Sequence, residues 1–234
     1  MTADLWITLS VWVIPIVMAV VLHEVAHGFA AYKLGDDTAK RTGRLSLNPI
    51  KHVDPFGTVV LPFMLVIAQT GIGVATPFIF GYAKPVPVDF RRLNNPRRDM
   101  VLVALAGPVI NIVLAFACAL LLHAPSLIAD AAIQEWVFLN IQNAIIINVA
   151  LAVFNMMPIP PLDGGRVMIG LLPAKYARSF MKLERYGFFV VLFLLFGLPY
   201  LGEKLGYAIN PLVSVLEFFI LNILDIIGWM TFWS

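Results

Sequence analysis

Residues 5–31 read LWITLSVWVIPIVMAVVLHEVAHGFAA. A helix that crosses the hydrocarbon core of a bilayer needs about 20 mostly apolar residues, and this run supplies that length with only His23, Glu24 and His27 ionisable, all near its end. It has neither a basic leader nor a small-residue cleavage site, which argues against a removable signal peptide. The run therefore reads as a transmembrane helix with polar chemistry inside it, and ionisable residues at membrane depth are functional by default.

Composition agrees. The 234 residues are 60% hydrophobic and 13% charged, with a mean hydropathy of +0.88, outside the range of soluble globular chains. A formal charge of +2 is too small for a nucleic-acid partner. The single Cys118 excludes an internal disulfide framework and any CxxC site, and reads as a packing thiol.

Working outward, four more segments approach spanning length: 100–122, 136–157, 186–201 and 211–232. A sixth apolar run, 56–80, is broken by Pro62, Gly71, Gly73 and Pro77. Lys and Arg gather in 33–51, 84–98 and 166–185, while 123–135 has none. The positive-inside tendency puts the three basic stretches in the cytoplasm and 123–135 outside. A full span over 56–80 would separate the first two, so re-entry is expected there; broken backbone is tolerated at depth where protein or water surrounds it. The fold class expected is an α-helical integral membrane protein: a bundle of five to six transmembrane helices with a re-entrant segment. Residues 42–48 (TGRLSLN) and 82–88 (YAKPVPV) alternate like short edge strands, predicting a small membrane-boundary β-sheet whose open edge would pair with extended substrate.

On a helix His23 and His27 project from one face and can share a Zn²⁺, with Glu24 placed to act as general base. A catalytic zinc needs a third protein ligand. The extended form HExxHxxGxxH fails because Lys33 stands at its last position, and Asp36 and Asp37 are too near along the chain to return easily. Asp163 is the strongest remaining candidate. It follows Pro158, Pro160 and Pro161, which break the incoming helix, and precedes Gly164 and Gly165, which permit close approach.

With HEVAH at 23–27 and NMMPIPPLDGG at 155–165, and with GRLSLNPIKHVDPFGT (43–58), GYAKPVPVDFRR (81–92) and ALAGPVIN (104–111) between them, the chain resembles the site-2 proteases, intramembrane zinc metalloproteases. The resemblance covers most of residues 20–170. It implies one Zn²⁺ per chain held by His23, His27 and Asp163, Glu24 as catalytic base, Asn155 holding substrate or stabilising the oxyanion, and transmembrane proteins as substrates. The expectation is a single membrane-embedded metalloprotease domain over 1–234, with a catalytic core at about 5–170 and C-terminal helices at about 186–233, in a prokaryotic plasma membrane with its site toward the cytoplasm. No PDZ-like domain interrupts the chain and no regulatory nucleotide-binding domain follows it, so selection of substrates by such modules does not carry over.

Weaker signals remain. Asn148 lies seven residues before Asn155 and shares its helical face, fitting either substrate orientation or hydrogen bonding between helices. Asn111 reads similarly. Glu217 and Asp225, eight apart, are candidates to border a water-accessible gate, against simple pairing in the bundle. His52 and Asp54 line the site's approach or serve their own loop. Trp6, Trp12, Trp229 and Trp233 fit interfacial anchors. A metal-ion or proton transporter and a catalytically silent scaffold are the competing readings, and an intact Glu24 between two ligands disfavours both.

Overall fold

The structure, a computed structural model, describes residues 2–60, 64, 83–207 and 210–232, without side-chain detail for 2–5, 58 and 59. Its helices are α1 (Thr2–Lys33), the short α2 (Thr38–Arg41), α3 (Pro96–Leu120), α4 (Ala131–Asn155), α5 (Asp163–Leu171), α6 (Ala174–Leu192), α7 (Leu198–Lys204) and α8 (Pro211–Thr231). A π-helical stretch, Phe193–Gly197, joins α6 to α7. Five of the resulting helical runs are long and apolar enough to cross a membrane: Trp6–Lys33, Pro96–Leu127, Ala131–Asn155, Ala174–Lys204 and Pro211–Thr231. The protein is a multi-pass membrane protein. Large side chains such as Ile16, Val109, Val113 and Phe218 face outward, as hydrocarbon solvent allows.

Small residues let the first helices close on one another. Ala19 and Ala31 on α1, and Ala115 and Ala119 on α3, are fully buried, the pattern of close helix approach in membranes. The two helices run antiparallel: His27 reaches Val103, whereas Asn111, further along α3, meets His23 and Ala19. The N–H of Asn94 donates to the carbonyl of Leu34 at 2.8 Å, so the connection leaves α1 and enters α3 at one point. Helix α4 runs parallel to α1. Trp136, near its start, donates from Nε1 to Ser10 Oγ at 2.8 Å, and Asn143 Nδ2 donates to the carbonyl of Val11 at 2.8 Å. The end of α4 thereby arrives beside the end of α1. Ala115, Ala119, Ile145, Val149, Val153 and Ile227 form the core that binds α3, α4 and α8.

The sequence placed the fourth span at 186–201, but the helix starts at Ala174. Its first turns, KYARSFMKLERY, are too charged to register as a span. They are nonetheless good helix formers.

The expected β-sheet does not form; among the described residues there is no strand. Both segments spend their backbone groups elsewhere. Around 42–44, the N–H groups of Thr42, Gly43 and Arg44 donate to Thr38, Lys40 and Ala39 and close the end of α2. In the second segment, Pro85 and Pro87 remove the donors from one edge. On its other edge the Lys84 N–H goes to His52 O, and the Val86 N–H goes to a carboxylate described below. Residues 83–88 have no regular secondary structure and are pinned by side chains. Arg44 grips it through Lys84 O at 2.6 Å and Pro85 O at 3.3 Å, and buried Asp36 accepts from the Asp89 N–H at 2.7 Å. The re-entrant reading of 56–80 falls largely outside the described residues; the part described, Pro55–Val60, is a π-helical turn.

Candidate metal centre

His23 and His27 lie one turn apart on α1, and both are buried. Their outer nitrogens are committed. His23 Nδ1 donates to Asn111 Oδ1 at 2.5 Å, and His27 Nδ1 donates to the carbonyl of Val103 at 2.7 Å. Carbonyl oxygens only accept, so the protons sit on Nδ1 and both Nε2 atoms present bare lone pairs inward. Asn111 is held in the required orientation because its Nδ2 donates to Asn148 Oδ1 at 2.7 Å, and Asn148 Nδ2 donates to Ala144 O at 2.8 Å. A buried relay thus runs from the α4 backbone to a ring on α1.

Asp163 is the first residue of α5 and is also buried. Glycine brings it there: a Cβ at Gly164 would stand 2.2 Å from Met156 O, and one at Gly165 2.5 Å from Pro160 N. Only residues without side chains let α5 begin pressed against the proline turn. Asp163 Oδ2 then lies 3.2 Å from His23 Nε2 and 3.3 Å from His27 Nε2, yet makes no hydrogen bond. The two Nε2 atoms are 2.9 Å apart. Three electron-pair donors facing one another without a proton among them demand a cation. Zinc ligands at about 2.0–2.2 Å in a tetrahedron stand roughly 3.3 Å apart, so the donor set fits a zinc ion. Space for it is kept by Gly107, where a Cβ would lie 2.4 Å from His27 Nε2 and 2.6 Å from His23 Nε2.

Glu24 is half-buried beside this cluster, and its Oε2 accepts the Val86 N–H at 2.8 Å. One carboxylate oxygen is therefore fixed while the other stays available.

The sequence brought His23, Glu24, His27 and Asp163 forward, and in the structure the two imidazoles and the Asp163 carboxylate are the set able to hold a metal among the described residues. Asn148 supports Asn111. Asn155 is half-buried and turns its Nδ2 back to Leu151 O at 3.0 Å. Glu217 and Asp225 are exposed on α8 and are not among the residues that gather there. His52 is buried with Nε2 donating to Ser46 O, and Asp54 Oδ1 accepts from the N–H groups of Phe56 and Gly57, so both serve their own loop.

Sequence reasoning missed Val103, Gly107 and Val86, and gave Asn111 no place at the metal. A signal for three of these existed: Val103, Gly107 and Asn111 recur every four residues and form one stripe of α3. Val86 contributes a backbone N–H, which no side-chain pattern announces.

The model of peptidase family M50 matches residues 122–198, which include Asp163. Over 205 residues, 86% of this chain and 85% of the relative, the sequence is 40% identical to the Bacillus subtilis (strain 168) protein named "Putative zinc metalloprotease YwhC". The chain belongs to peptidase family M50. It is also similar to proteins named "Putative zinc metalloprotease Rip2". The identity is 32% over 178 residues for that of Mycolicibacterium smegmatis, covering 76% of this chain and 63% of the relative. For that of Mycobacterium tuberculosis (strain H37Rv) it is 34% over 175 residues, covering 74% and 62%. The chain spans less than two thirds of those mycobacterial relatives. No solved structure matches it. The M50 match and the YwhC alignment bear out the resemblance to site-2 proteases drawn from HEVAH and NMMPIPPLDGG.

Proposed function

We propose that the chain is an intramembrane zinc metalloendopeptidase, one membrane-embedded domain that hydrolyses peptide bonds in or near the transmembrane segments of membrane-protein substrates. The observation that carries this is the convergence of two bare imidazole nitrogens and a bare carboxylate oxygen beside Glu24, inside a bundle of apolar helices.

His23, His27 and Asp163 hold the zinc. Bound there, it supplies a Lewis acid that polarises a carbonyl and acidifies water. Glu24 takes the proton of the attacking water and returns it to the leaving amine, while the Val86 N–H keeps the carboxylate from rotating away. Asn111 and the Val103 carbonyl fix the ring tautomers that bind metal. Asn155 belongs to substrate binding and rotates from its Leu151 contact to meet the substrate backbone. A substrate helix must unwind first, since hydrogen-bonded backbone shields the scissile carbonyl.

The site faces the cytoplasm of a prokaryotic plasma membrane. This orientation is supported by α1 ending, α3 beginning and α5 lying at one face together with the three basic stretches, while the base-free 123–135 connection lies at the other.

The test is cleavage of a model transmembrane substrate by purified protein, with and without a zinc chelator, in wild type and Glu24→Gln. Cleavage is expected only from zinc-loaded wild type. A Glu24→Gln protein that cleaves at the wild-type rate would overturn the assignment, and chelator-sensitive metal flux into vesicles without cleavage would point to transport.

A further inference from the structure

At the membrane boundary where α3 begins, a groove of about 410 Å³ is lined by Arg97, Arg98, Val101, Leu102, Gly170 and Leu171. It lies between the first turns of α3 and the last turn of α5. Its two arginines are not equivalent. Arg97 is spent as a clasp: its Nε donates to Gly170 O at 2.9 Å and its guanidinium also reaches Leu172 O. Arg98 is exposed, and its side chain has no hydrogen-bond or ion-pair partner among the described residues. The acid in the same turn does not neutralise it, because Asp99 is buried and accepts the Asn95 N–H at 2.7 Å.

The rest of the groove is apolar and open. Leu102 is 43% exposed and Leu171 65% exposed, and Leu102 lies about 6 Å deeper along α3 than Arg98 at 1.5 Å per residue. A guanidinium with unused donors above an uncovered apolar trough is complementary to one amphiphile, an anionic headgroup above an acyl chain. Basic pockets between spans at a cytoplasmic boundary take such headgroups, and a guanidinium forks onto phosphate oxygens.

We propose that this groove binds an anionic phospholipid, with its phosphate on Arg98 and its acyl chain over Leu102 and Leu171. The site is separate from the metal centre but mechanically next to it. Arg97 ties α3, which carries Gly107 and Asn111, to the end of α5, whose first residue is Asp163. A lipid seated across the same joint holds those helices in register.

The experiment is direct binding of dioleoylphosphatidylglycerol to the full-length protein in neutral detergent, followed by native mass spectrometry, with dioleoylphosphatidylcholine as the uncharged comparison. Phosphatidylglycerol should bind at least roughly tenfold more tightly than phosphatidylcholine, and Arg98→Gln should remove most of that preference while Arg98→Lys keeps part of it. Leu171→Glu, an exposed substitution that places an anion in the trough, should weaken phosphatidylglycerol without touching Arg98. Equal binding of the two lipids, or wild-type phosphatidylglycerol binding in both Arg98→Gln and Leu171→Glu, would overturn the proposal. The readout is independent of peptidase activity.

Discussion

Gly107 and His27 are in contact across the α1–α3 interface, and a methyl group at position 107 would lie 2.4 Å from His27 Nε2. The residue that keeps the metal's volume open thus sits on a different helix from the two histidines.

Gly107→Ala should therefore expel the metal. Alanine is the better helix former by about 1 kcal/mol, so weakening of α3 cannot explain a loss. Purified Gly107→Ala protein is expected to contain far less than one zinc per chain by elemental analysis while keeping its helical circular dichroism. A full zinc complement would mean that the rings move aside.

Asn111→Leu removes the acceptor of the His23 Nδ1 proton. Loss of such an outer partner typically costs 10–100-fold in metal affinity, and roughly that drop is expected in competition with a chromogenic chelator. Asn148→Ala should weaken zinc less, because Asn111 keeps its contact to Ala19 O at 3.5 Å. The two effects should be less than additive in the double variant, since both act through one ring.

Val86→Pro deletes the N–H that holds Glu24 Oε2, in a stretch already flanked by Pro85 and Pro87. Hydrogen bonds to charged groups are worth about 1.5–3 kcal/mol, which translates to roughly ten- to hundredfold in kcat. Val86→Ala keeps the donor and should stay near wild type. Zinc content is expected to be unchanged in both, separating this effect from metal loss.

Removing the metal should loosen the bundle. With nothing between them, the three donor atoms, which lie 2.9–3.3 Å apart, repel one another. A chelator should lower the unfolding temperature of wild type in detergent and leave Asp163→Ala nearly unaffected. Equal shifts in the two proteins would place the bound metal elsewhere.

Much of the site was legible because it obeys short-range rules. The i, i+4 spacing of His23 and His27 puts two ligands on one helical face wherever the helix lies, and prolines followed by two glycines mark a sharp return at Asp163. The relay through Asn111 and Asn148 was only half legible: the asparagines stand out in apolar spans, but their partners depend on helix register. The mistaken sheet has a clear cause. Alternation in TGRLSLN and YAKPVPV predicts extended chain, but a ladder needs free backbone groups. Prolines, the closing turns of α2, Arg44 and Glu24 had already taken them. Glu24 is thereby also one of the contacts that hold the second segment in place.

The three donor atoms are spread over α1 and α5, with the enclosing glycine on α3. Translation delivers the histidines to the membrane long before Asp163 is made. A half-synthesised chain thus carries an HExxH with no enclosed metal pocket, and peptidase activity is withheld until α4 has inserted and the proline turn has folded back.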